Sequence, residues 1–476
     1  MLERLRQRWS SLRRPDFIRA ATILSAVCLA LLLRILVVQS WHAPAGDGLQ
    51  YYALSQELIK DHRFAFGPTK PLQFSRLPGY PLFLAAVVHE APLALHTYLW
   101  IAAQANAWLD LGTALLVFFM LRDRRPCLGA AWAGFVAVIV CPMLMFLSCY
   151  GLSESLATFL TTLTLYCALK DDWRWIAGAG AAFGLLQLTR IDGFAILPAV
   201  GLGLVFGARG WRALARRGAI FAAVAVVVFA PWPIRNYKEF GALHVEGTAW
   251  MRQDGRPLPL GMMRWMRTWG TGEWGQDFAL LKVANNGYLR TAREGILLPA
   301  MWDTDAEKAL VTQLFERYNH GGLSPALDAD FDRLAAERRA RRPLHYWIGL
   351  PARRFVAEWT PMPEWELPVR SRLLHLPFWR VYYNVFQFAL FALALVGGIL
   401  LWRRDWRFVV IVVFVVGARA GLHALAHPFP VERYMVESFP AMMALAGAGA
   451  VLSFVSLRTR LQRRLQHRRP PAAERA

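Results

Sequence analysis

The chain has 476 residues, of which 56% are hydrophobic, and its mean hydropathy is +0.30. A soluble domain is only ~45–50% apolar. The apolar residues form long, charge-poor runs, which excludes a disordered chain or a disulfide-stapled secreted domain and indicates a polytopic membrane protein. The formal charge is +21, but the basic residues mostly form short strings between apolar runs. This favours the positive-inside pattern over a nucleic-acid face, so no nucleic-acid partner is expected.

Apolar runs of about 20 residues are long enough to cross a bilayer as helices. The sequence contains ten such runs and therefore predicts an all-α polytopic membrane protein with about ten transmembrane helices. A further apolar segment, 78–92, is too short to cross, and its three prolines favour an interfacial or re-entrant position. The ten predicted spans are 19–39, 97–121, 127–148, 152–169, 173–189, 192–208, 214–232, 382–402, 406–426 and 434–457.

Lys and Arg cluster on one side of these spans, which sets their orientation. The basic side holds the N-terminal arginines, the RDRR string at 122–125, the loop at 170–174 and the C-terminal tail. Both termini are therefore predicted to be cytoplasmic, in a bacterial inner membrane. No cleavable signal peptide is expected, because the first apolar run is long enough to span and no small-residue cleavage site follows it.

Two outer loops, 40–96 and 233–381, are long and rich in aromatic residues, and ordered loops of this length are usually functional. The first is predicted to hold interfacial helices and the second to be mainly helical, with helices at 328–342 and 343–357. The predicted organisation is a basic N-terminus (1–18), a seven-span module (19–232), the large periplasmic loop (233–381), a three-span module (382–457) and a basic tail (458–476).

Asp47 opens the helix-like stretch GDGLQYYALSQELIKDH in the first outer loop. Tyr51, Leu54 and Leu58 recur at helical spacing, which is typical of a helix lying on the bilayer surface. Asp47 has two compatible interpretations. It is an N-cap answered by Gln50, as in a capping box, or it is a carboxylate held at the mouth of a cavity just outside the membrane.

Arg76 and Glu154 lie at the outer ends of apolar segments. Arg76 precedes the turn LPGYP at headgroup depth, where it either snorkels to lipid phosphate or grips the phosphate of a lipid substrate with its planar fork. Glu154 either serves the dipole of its helix or faces the bundle interior and the substrate, which the cost of an acid at this depth favours.

Further arginines fall on the same outer side. Arg190 and Asp192 flank a short turn, where a mutual ion pair is the simpler interpretation and substrate contact the alternative. Arg235, followed by Asn236 and Tyr237, comes just after two prolines that end the seventh span. Arg433 lies in the segment PVERY.

No resident cofactor is predicted, and a divalent cation is left open. The five cysteines form no CxxC pair, which predicts neither a disulfide framework nor a cysteine metal site. Arg419, His423 and His427 recur at every fourth residue of the ninth span. Two histidines would suit a metal, but an arginine on the same stripe opposes a cation. A polar stripe lining an anion cavity is the favoured interpretation.

Several arginines and two or three carboxylates thus fall on one side of the membrane, which suits a reaction on a lipid-linked phosphate. A sugar linked through phosphate already has a good leaving group, so the site needs one base to deprotonate the acceptor and cations to hold the departing phosphate. It does not need the paired carboxylates of a glycosidase.

Six segments in this order resemble the C-type (GT-C) integral-membrane glycosyltransferases that use polyprenyl-phosphate sugars. That group includes protein O-mannosyltransferases and the lipid A aminoarabinose transferase. The resemblance implies a GT-C-like fold, inverting transfer on the periplasmic face and an acid in the first outer loop, which Asp47 matches. Protein mannosyltransferases have an Asp-Glu pair where this chain has Asp-Gly. The segments are GDGLQYYALSQEL, SRLPGYPLFLA, LSESLATFL, LTRIDGF, PWPIRNYKEFG and ERYMVESFPAMMALA, which span residues 47–445.

These arguments predict a glycosyltransferase that moves one sugar from a polyprenyl-phosphate carrier to a lipid, glycan or protein acceptor. An oligosaccharyltransferase is disfavoured, because loop 233–381 lacks a β-rich pattern. The rival interpretations are a lipid or lipid-linked-sugar flippase and a non-catalytic envelope assembly protein. The predicted catalytic residues are Asp47 as base and Glu154, and the predicted substrate-binding residues are Arg76, Arg235, Arg433, Tyr51, Arg190 and His427.

Overall fold

The structure is a computed structural model that describes most of the chain. The described residues are 46–124, 127–241, 260–271, 299–322, 324–359, 376–427 and 432–467, together with residues 25, 28, 29, 32, 34–36, 243 and 245. Within these ranges the protein is helical, and the only extended pairing is an isolated bridge between Ala65 and Leu72. The predicted all-α class is confirmed for this part of the chain. The first predicted span, 19–39, lies largely outside the described residues.

Sixteen α-helices are described along the chain, and short 3-10 or π turns precede three of them. A 3-10 turn at Ile191–Ile196 leads into α8, a π turn at His345–Gly349 leads into α14, and a 3-10 turn at Glu432–Ser438 leads into α16. The helices are α1 Gly46–Asp61, α2 Gly79–Val88, α3 Leu95–Arg124, α4 Leu128–Ile139, α5 Pro142–Cys149, α6 Glu154–Ala168, α7 Trp173–Thr189, α8 Leu197–Phe206, α9 Trp211–Phe229, α10 Pro231–Phe240, α11 Leu260–Met266, α12 Asp305–Gly321, α13 Pro325–Arg341, α14 Leu350–Ala357, α15 Leu376–Ala426 and α16 Phe439–His467.

In the part of the chain that the structure describes, four helical segments are long and apolar enough to cross a membrane: Leu95–Arg124, Trp211–Phe240, Phe378–Ala426 and Arg433–Arg460. The bent pair α4 and α5, with a 44° angle between them, would make a fifth. Helices α6 and α7 have 15 and 17 residues, so they are shorter than the ~20 residues that a bilayer core requires. Ten spans therefore stay a prediction, while the multi-pass character follows from the long helices.

Helix α15 is broken near its middle. Asp405 has φ −150° and ψ 62°, outside the helical range, and it lies between the predicted spans 382–402 and 406–426. The Oδ1 atom of Asp405 accepts from the backbone N of Phe408 over 3.2 Å, and its Oδ2 lies 2.9 Å from Nη1 of Arg124. The carboxylate therefore caps the second half of the helix and ties it to the end of α3.

Glycines let the helices of the bundle approach closely. A Cβ on Gly397 of α15 would collide with the backbone of α16 at Leu445, and a Cβ on Gly447 of α16 would collide with α4 at Ala130 and Gly134. Small residues at such crossings bring helix backbones into van der Waals contact, which is the main attraction available between helices in lipid. Helix α16 thus packs between α15 and α4 at the centre of the bundle.

A buried ion pair links the first span to the bundle. Arg34 and Asp110 have 1% and 0% exposed side chains, and Nη1 of Arg34 lies 3.4 Å from Oδ2 of Asp110. The Nη2 atom of Arg34 also donates to the carbonyl of Val138 over 3.0 Å. An ionised group is costly in the apolar interior, so each charge here depends on the other.

The helix ends gather at two opposite faces of the bundle. We call the face with residues 46–92, 149–154, 189–191, 230–240, 427 and 432–438 the site face, and the face with residues 121–124, 127–128, 169–173, 206–211 and 402–407 the opposite face. On the site face, α1 lies over α2, and Tyr51 meets Tyr80 edge-to-face at 5.0 Å. Segment 78–92 supplies the ten-residue α2, which buries Tyr80 and Leu84.

The second outer loop has a small helical core of its own. Trp265 of α11 packs against Phe315 of α12 and Phe331 of α13, with ring centroids 5.7 and 5.2 Å away. The carboxylate of Asp328 accepts from the backbone N of Gly261 and Met262 over 3.0 and 2.9 Å, at the start of α11. Helices α13 and α14 lie where the sequence predicts helices at 328–342 and 343–357. Helix α13 begins earlier than predicted, at Pro325, after the N-cap Ser324.

Candidate active site

Asp47 lies in the first turn of α1 on the site face, with 33% of its side chain exposed. The Nη2 atom of Arg76 donates to Oδ1 of Asp47 over 2.6 Å, and Nη2 of Arg433 lies 3.4 Å from Oδ2. The side-chain oxygen of Gln50 accepts from Nε of Arg76 over 2.7 Å. Gln50, which the sequence pairs with Asp47 in a capping box, therefore orients the arginine that holds Asp47.

The two arginines keep Asp47 ionised. Burial by itself would raise the pKa of the carboxyl, but the charges and hydrogen bonds of Arg76 and Arg433 outweigh it and hold the pKa below its ordinary value. An ionised carboxylate can only accept hydrogen bonds. Asp47 is thus available as a proton acceptor, and its basicity depends on how closely the two guanidinium groups stay.

Glu154 begins α6 and is almost fully buried, with 3% of its side chain exposed. Its Oε1 atom lies 3.3 Å from Nη1 of Arg190 and 3.6 Å from Nε of Arg433. Its Oε2 atom has no hydrogen-bond partner among the described residues. Arg433 therefore bridges Glu154 and Asp47, which joins the end of α6 to the first outer loop.

The expected ion pair between Arg190 and Asp192 is present and is bidentate, with Nε–Oδ1 and Nη2–Oδ2 distances of 3.0 and 2.9 Å. It is also part of a larger network. Glu437, which is completely buried, lies 3.0 Å from Nε of Arg190 and 2.7 Å from Nη2 of Arg419. Arg419 and His423 both reach Oδ2 of Asp192, at 3.0 and 3.1 Å.

The arginines and carboxylates of this network are equal in number, so its formal charges cancel. Each carboxylate contacts at least one arginine, and the network runs without a break from the partly exposed Asp47 to the buried Glu437. A phosphate that enters here must therefore draw guanidinium groups away from carboxylates that already hold them. The members are Asp47, Glu154, Asp192 and Glu437 with Arg76, Arg190, Arg419 and Arg433.

Aromatic rings support the guanidinium groups. The Cζ atom of Arg190 lies 4.9 Å from the ring centre of Tyr434, and that of Arg433 lies 5.4 Å from it. The Cζ atom of Arg76 lies 5.8 Å from the ring centre of Tyr51. Burial raises the pKa of the Tyr51 hydroxyl, so this hydroxyl stays neutral. His427 is exposed at the end of α15, with its ring centre 5.7 Å from that of Tyr434. Tyr51 thus lies within the site, and His427 lies at its edge.

Arg235 lies in a different place from Arg76 and Arg433. Its Nη1 atom donates to the carbonyl of Gln73 over 2.8 Å, and its Cζ atom lies 5.1 Å from the ring centre of Trp232 and 5.3 Å from that of Phe240. It lines a cavity of about 620 Å³ whose walls include Leu58, Leu82 and Leu188. Segment 73–76 lies between Arg235 and Asp47, because its Gln73 contacts Arg235 and its Arg76 contacts Asp47.

Sequence reasoning did not single out Glu437, although it lies inside a predicted span. An ionisable residue within an apolar run is a signal for a functional or paired position. Its partners come from the ends of α7 and α15, so no local spacing links them. Of the predicted polar stripe, Arg419 and His423 lie against Asp192.

No group of three His, Cys, Asp or Glu side chains within the described ranges is arranged to hold a metal ion. The carboxylates of the site instead contact arginines. This arrangement suits an anion better than a cation.

No protein-family model matches the chain, and no curated protein matches it in sequence. Solved structures do match it in fold. The oligosaccharyltransferase AglB from Archaeoglobus fulgidus, in complex with an inhibitory peptide and a dolichol-phosphate, superposes with a TM-score of 0.50 and 15% identity, over 94% of this chain and 52% of AglB. Its apo form gives a TM-score of 0.50 and 17% identity, over 93% and 51%. The chain has the C-type glycosyltransferase fold.

The similarity covers only part of the length of each matching structure. The chain spans about half the length of the oligosaccharyltransferase. ArnT from Cupriavidus metallidurans in the apo state also matches, with a TM-score of 0.41 and 17% identity, over 91% of this chain and 77% of ArnT. The likeness to AglB is one of fold and leaves the sequence-based argument against an oligosaccharyltransferase untested.

Proposed function

We propose that the protein is a membrane glycosyltransferase that moves a sugar from a polyprenyl-phosphate carrier to a lipid, glycan or protein acceptor. The observation that carries the proposal is the pair of arginines, Arg76 and Arg433, converging on the partly exposed carboxylate of Asp47. The carriers seen on the fold neighbours support the donor class, because AglB was solved with dolichol-phosphate. We further propose a multi-pass inner-membrane protein with both termini in the cytoplasm and the site face in the periplasm.

The carrier phosphate is proposed to bind to Arg76 and Arg433. Guanidinium groups match phosphate oxygens with two parallel hydrogen bonds, and such charge-assisted bonds are short and strong. The rings of Tyr51 and Tyr434 restrict the two side chains, so less conformational entropy is lost when phosphate binds.

Phosphate binding and base strength are coupled in this proposal. The arginines lower the pKa of Asp47 in the free protein. When a phosphate takes up their hydrogen bonds, part of their hold on Asp47 is released, and its pKa rises toward a value better suited to a general base. Asp47 thus becomes an effective base only once the donor is in place.

The proposed reaction is a single displacement with inversion. The acceptor oxygen or nitrogen attacks the anomeric carbon, while the bond from that carbon to the phosphate oxygen breaks. The bonding electrons go to the departing polyprenyl phosphate, which gains one negative charge, and the acceptor proton goes to Asp47. Arg76 and Arg433 stabilise the added charge, as preorganised cations do in phosphate-leaving reactions.

Glu154 and Arg190 are proposed to position the site rather than to take the proton. Glu154 contacts Arg433 from the buried side, and Arg190 anchors Glu154 to Asp192 and Glu437. This network fixes Arg433 so that its Nη2 atom faces Asp47. His427, at the exposed edge, is proposed to contact the acceptor or the sugar.

Arg235 is proposed to hold the headgroup of a lipid that accepts the sugar. Its cavity combines one ring-stacked arginine with leucine walls, a combination that suits an anionic headgroup with an apolar chain.

The test of the whole proposal is a transfer assay with purified full-length protein in liposomes and a radiolabelled polyprenyl-phosphate sugar. The acceptor is supplied as an extract of membranes that lack the protein, and the radiolabelled sugar should be transferred to a molecule in this extract. Movement of the donor between leaflets without transfer would instead support a flippase.

A further inference from the structure

A large cavity lies on the opposite face, away from Asp47. Its volume is about 1020 Å³, and it is bordered by the loop before α7, the end of α8, the start of α9 and the turn after Asp405. Four arginines and two apolar side chains define its character: Arg209, Arg216, Arg217, Arg407, Phe206 and Ile220. The transfer reaction proposed above uses none of them.

One of the four arginines is structural. Arg217 is buried, and it donates to the carbonyls of Lys170 and Asp171 over 2.8 and 3.2 Å. A Cβ on Gly207 would collide with the Arg217 guanidinium, so glycine at that position lets the side chain pass. Arg217 therefore ties α9 to the loop before α7 and is already committed to the protein.

The other three arginines point to a ligand. Arg209, Arg216 and Arg407 are exposed, and within the described ranges none of them has an ion-pair or hydrogen-bond partner. They come from three different elements, the loop after α8, helix α9 and the second half of α15. Like charges brought together in one concave surface raise the local concentration of anions.

The nearby carboxylates do not neutralise these arginines. Asp171 and Asp172 line the same cavity. The Asp171 side chain is 89% exposed and lies 3.7 Å from Arg217. The Asp172 carboxylate caps α7 by accepting from the backbone N of Arg174 over 2.8 Å. Within the described ranges, neither acid forms an ion pair with Arg209 or Arg216.

Exposed tryptophans at and near the cavity are typical of headgroup depth. Trp173 lines the cavity, and Trp211 and Trp406 lie close in sequence to its lining residues Arg209 and Arg407; their side chains are 60%, 74% and 46% exposed. Tryptophan is enriched where the hydrocarbon core meets the headgroups, because its ring is apolar and its N–H is polar. Phe206 and Ile220 supply an apolar wall of the same cavity.

We infer that this cavity binds the phosphate headgroup of an anionic phospholipid, with Arg209, Arg216 and Arg407 holding the phosphate and Phe206 and Ile220 contacting the acyl chain. Basic pockets between membrane helices take up anionic headgroups in this way. The apolar wall favours a lipid over a free phosphate ion. The site is distinct from the proposed transfer site, because it lies on the other face of the bundle.

The test uses purified full-length protein titrated with phosphatidylglycerol in detergent, with bound lipid counted by native mass spectrometry. The variant R209Q/R216Q should bind phosphatidylglycerol about ten- to thirty-fold more weakly, since each surface arginine contributes substantially to attraction of an anionic lipid. The matched control R458Q/R460Q removes the same charge from exposed positions of α16 on the same side and should change binding less than about twofold. A213W, which fills the cavity and keeps its charge, should also lose the lipid.

Two comparisons separate the ligand classes. Phosphatidylcholine should bind equally weakly to the wild type and to R209Q/R216Q, and glycerol 3-phosphate should not displace phosphatidylglycerol at equal concentration. The inference is overturned if both double variants lose phosphatidylglycerol equally, which would show attraction to the whole face. It is also overturned if glycerol 3-phosphate competes as well as the lipid, which would assign the cavity to a soluble anion.

Discussion

Arg433 reaches Asp47 across 386 positions of the chain and lies 3.4 Å from its carboxylate. The contact joins the 3-10 turn before the last helix to the first outer loop. Because Arg433 also lies 3.6 Å from Glu154, the surface site and the buried network share one guanidinium group. A change at Arg433 should therefore affect both the phosphate and the base.

Arginine substitutions test the proposed phosphate contacts. Replacing Arg76 or Arg433 with lysine keeps the charge but removes the planar fork, so donor affinity should fall by about ten-fold or more. Arg235→Lys is the comparison, because Arg235 lies across segment 73–76 from Asp47 and should change donor KM little. Steady-state kinetics with the polyprenyl-phosphate sugar would measure this. Full activity in the alanine variants at all three positions would place the phosphate elsewhere.

The pH dependence of kcat/KM tests the coupling between Asp47 and its arginines. The pKa of Asp47 lies below its ordinary value of 3.8 in the free protein, so activity should show no acid limb between pH 7 and about pH 5. Arg76→Gln removes a charge that lowers this pKa, so its acid limb should move to higher pH. An identical pH profile for both proteins would show that Asp47 does not govern the limb.

The same pKa shift has a consequence for stability. A carboxyl whose pKa is lower in the folded protein stabilises the fold above the unfolded pKa, and this contribution is lost as the pH falls through the folded pKa. Asp47 should therefore contribute at neutral pH and lose its contribution only below about pH 4. The difference in thermal unfolding between wild type and Asp47→Asn should shrink as the pH falls below about 4 and vanish below the folded-state pKa, whereas an unchanged difference would assign the contribution to another group.

At the buried pair Arg34–Asp110, a single substitution should destabilise the protein more than a double substitution that removes both charges. Asp110→Leu leaves an uncompensated arginine in the bundle and should destabilise the protein by roughly 3–5 kcal/mol. The double variant R34M/D110L removes both charges and should recover most of that loss. Thermal unfolding in detergent, followed by size-exclusion fluorescence, would measure both. Equal destabilisation in the single and double variants would mean that packing at Asp110 matters more than its charge.

The sequence predicted the helices better than the contacts between them. Apolar runs are local signals, so α3, α9 and α16 lie close to the predicted spans, whereas α13 begins at Pro325 and not at the predicted residue 328. The predictions placed Asp47, Arg76 and Arg433 together because each lies at the outer end of a segment. They could not place Arg235 behind segment 73–76, because that depends on which way its side chain turns.

Glu437 is a second residue whose contacts could not be predicted from the sequence. It faces Arg190 and Arg419, and those partners belong to α7 and α15, far from it in sequence. The sequence shows only that an acidic residue lies in an apolar run. Which arginines neutralise that acid is decided by how the helices pack.

The orientation is tested by reporter fusions. Tags at residue 1 and residue 476 should both report the cytoplasm, and a tag near residue 320, at the end of α12, should report the periplasm. The physical reason is the excess of arginine on the opposite face. An external C-terminus would change the number of spans and would put the anionic-lipid cavity in the other leaflet.

The most direct test of the central claim is the transfer rate of Asp47→Asn. Asparagine keeps the shape of aspartate but cannot accept a proton, so the variant should fold and express normally. General-base loss typically costs ~10²–10⁴-fold in rate, so transfer should fall by at least about 100-fold. Glu154→Gln is the matched comparison and should retain more activity, because Glu154 positions Arg433. Near wild-type transfer by Asp47→Asn would contradict the account, since Asp47 would then be structural.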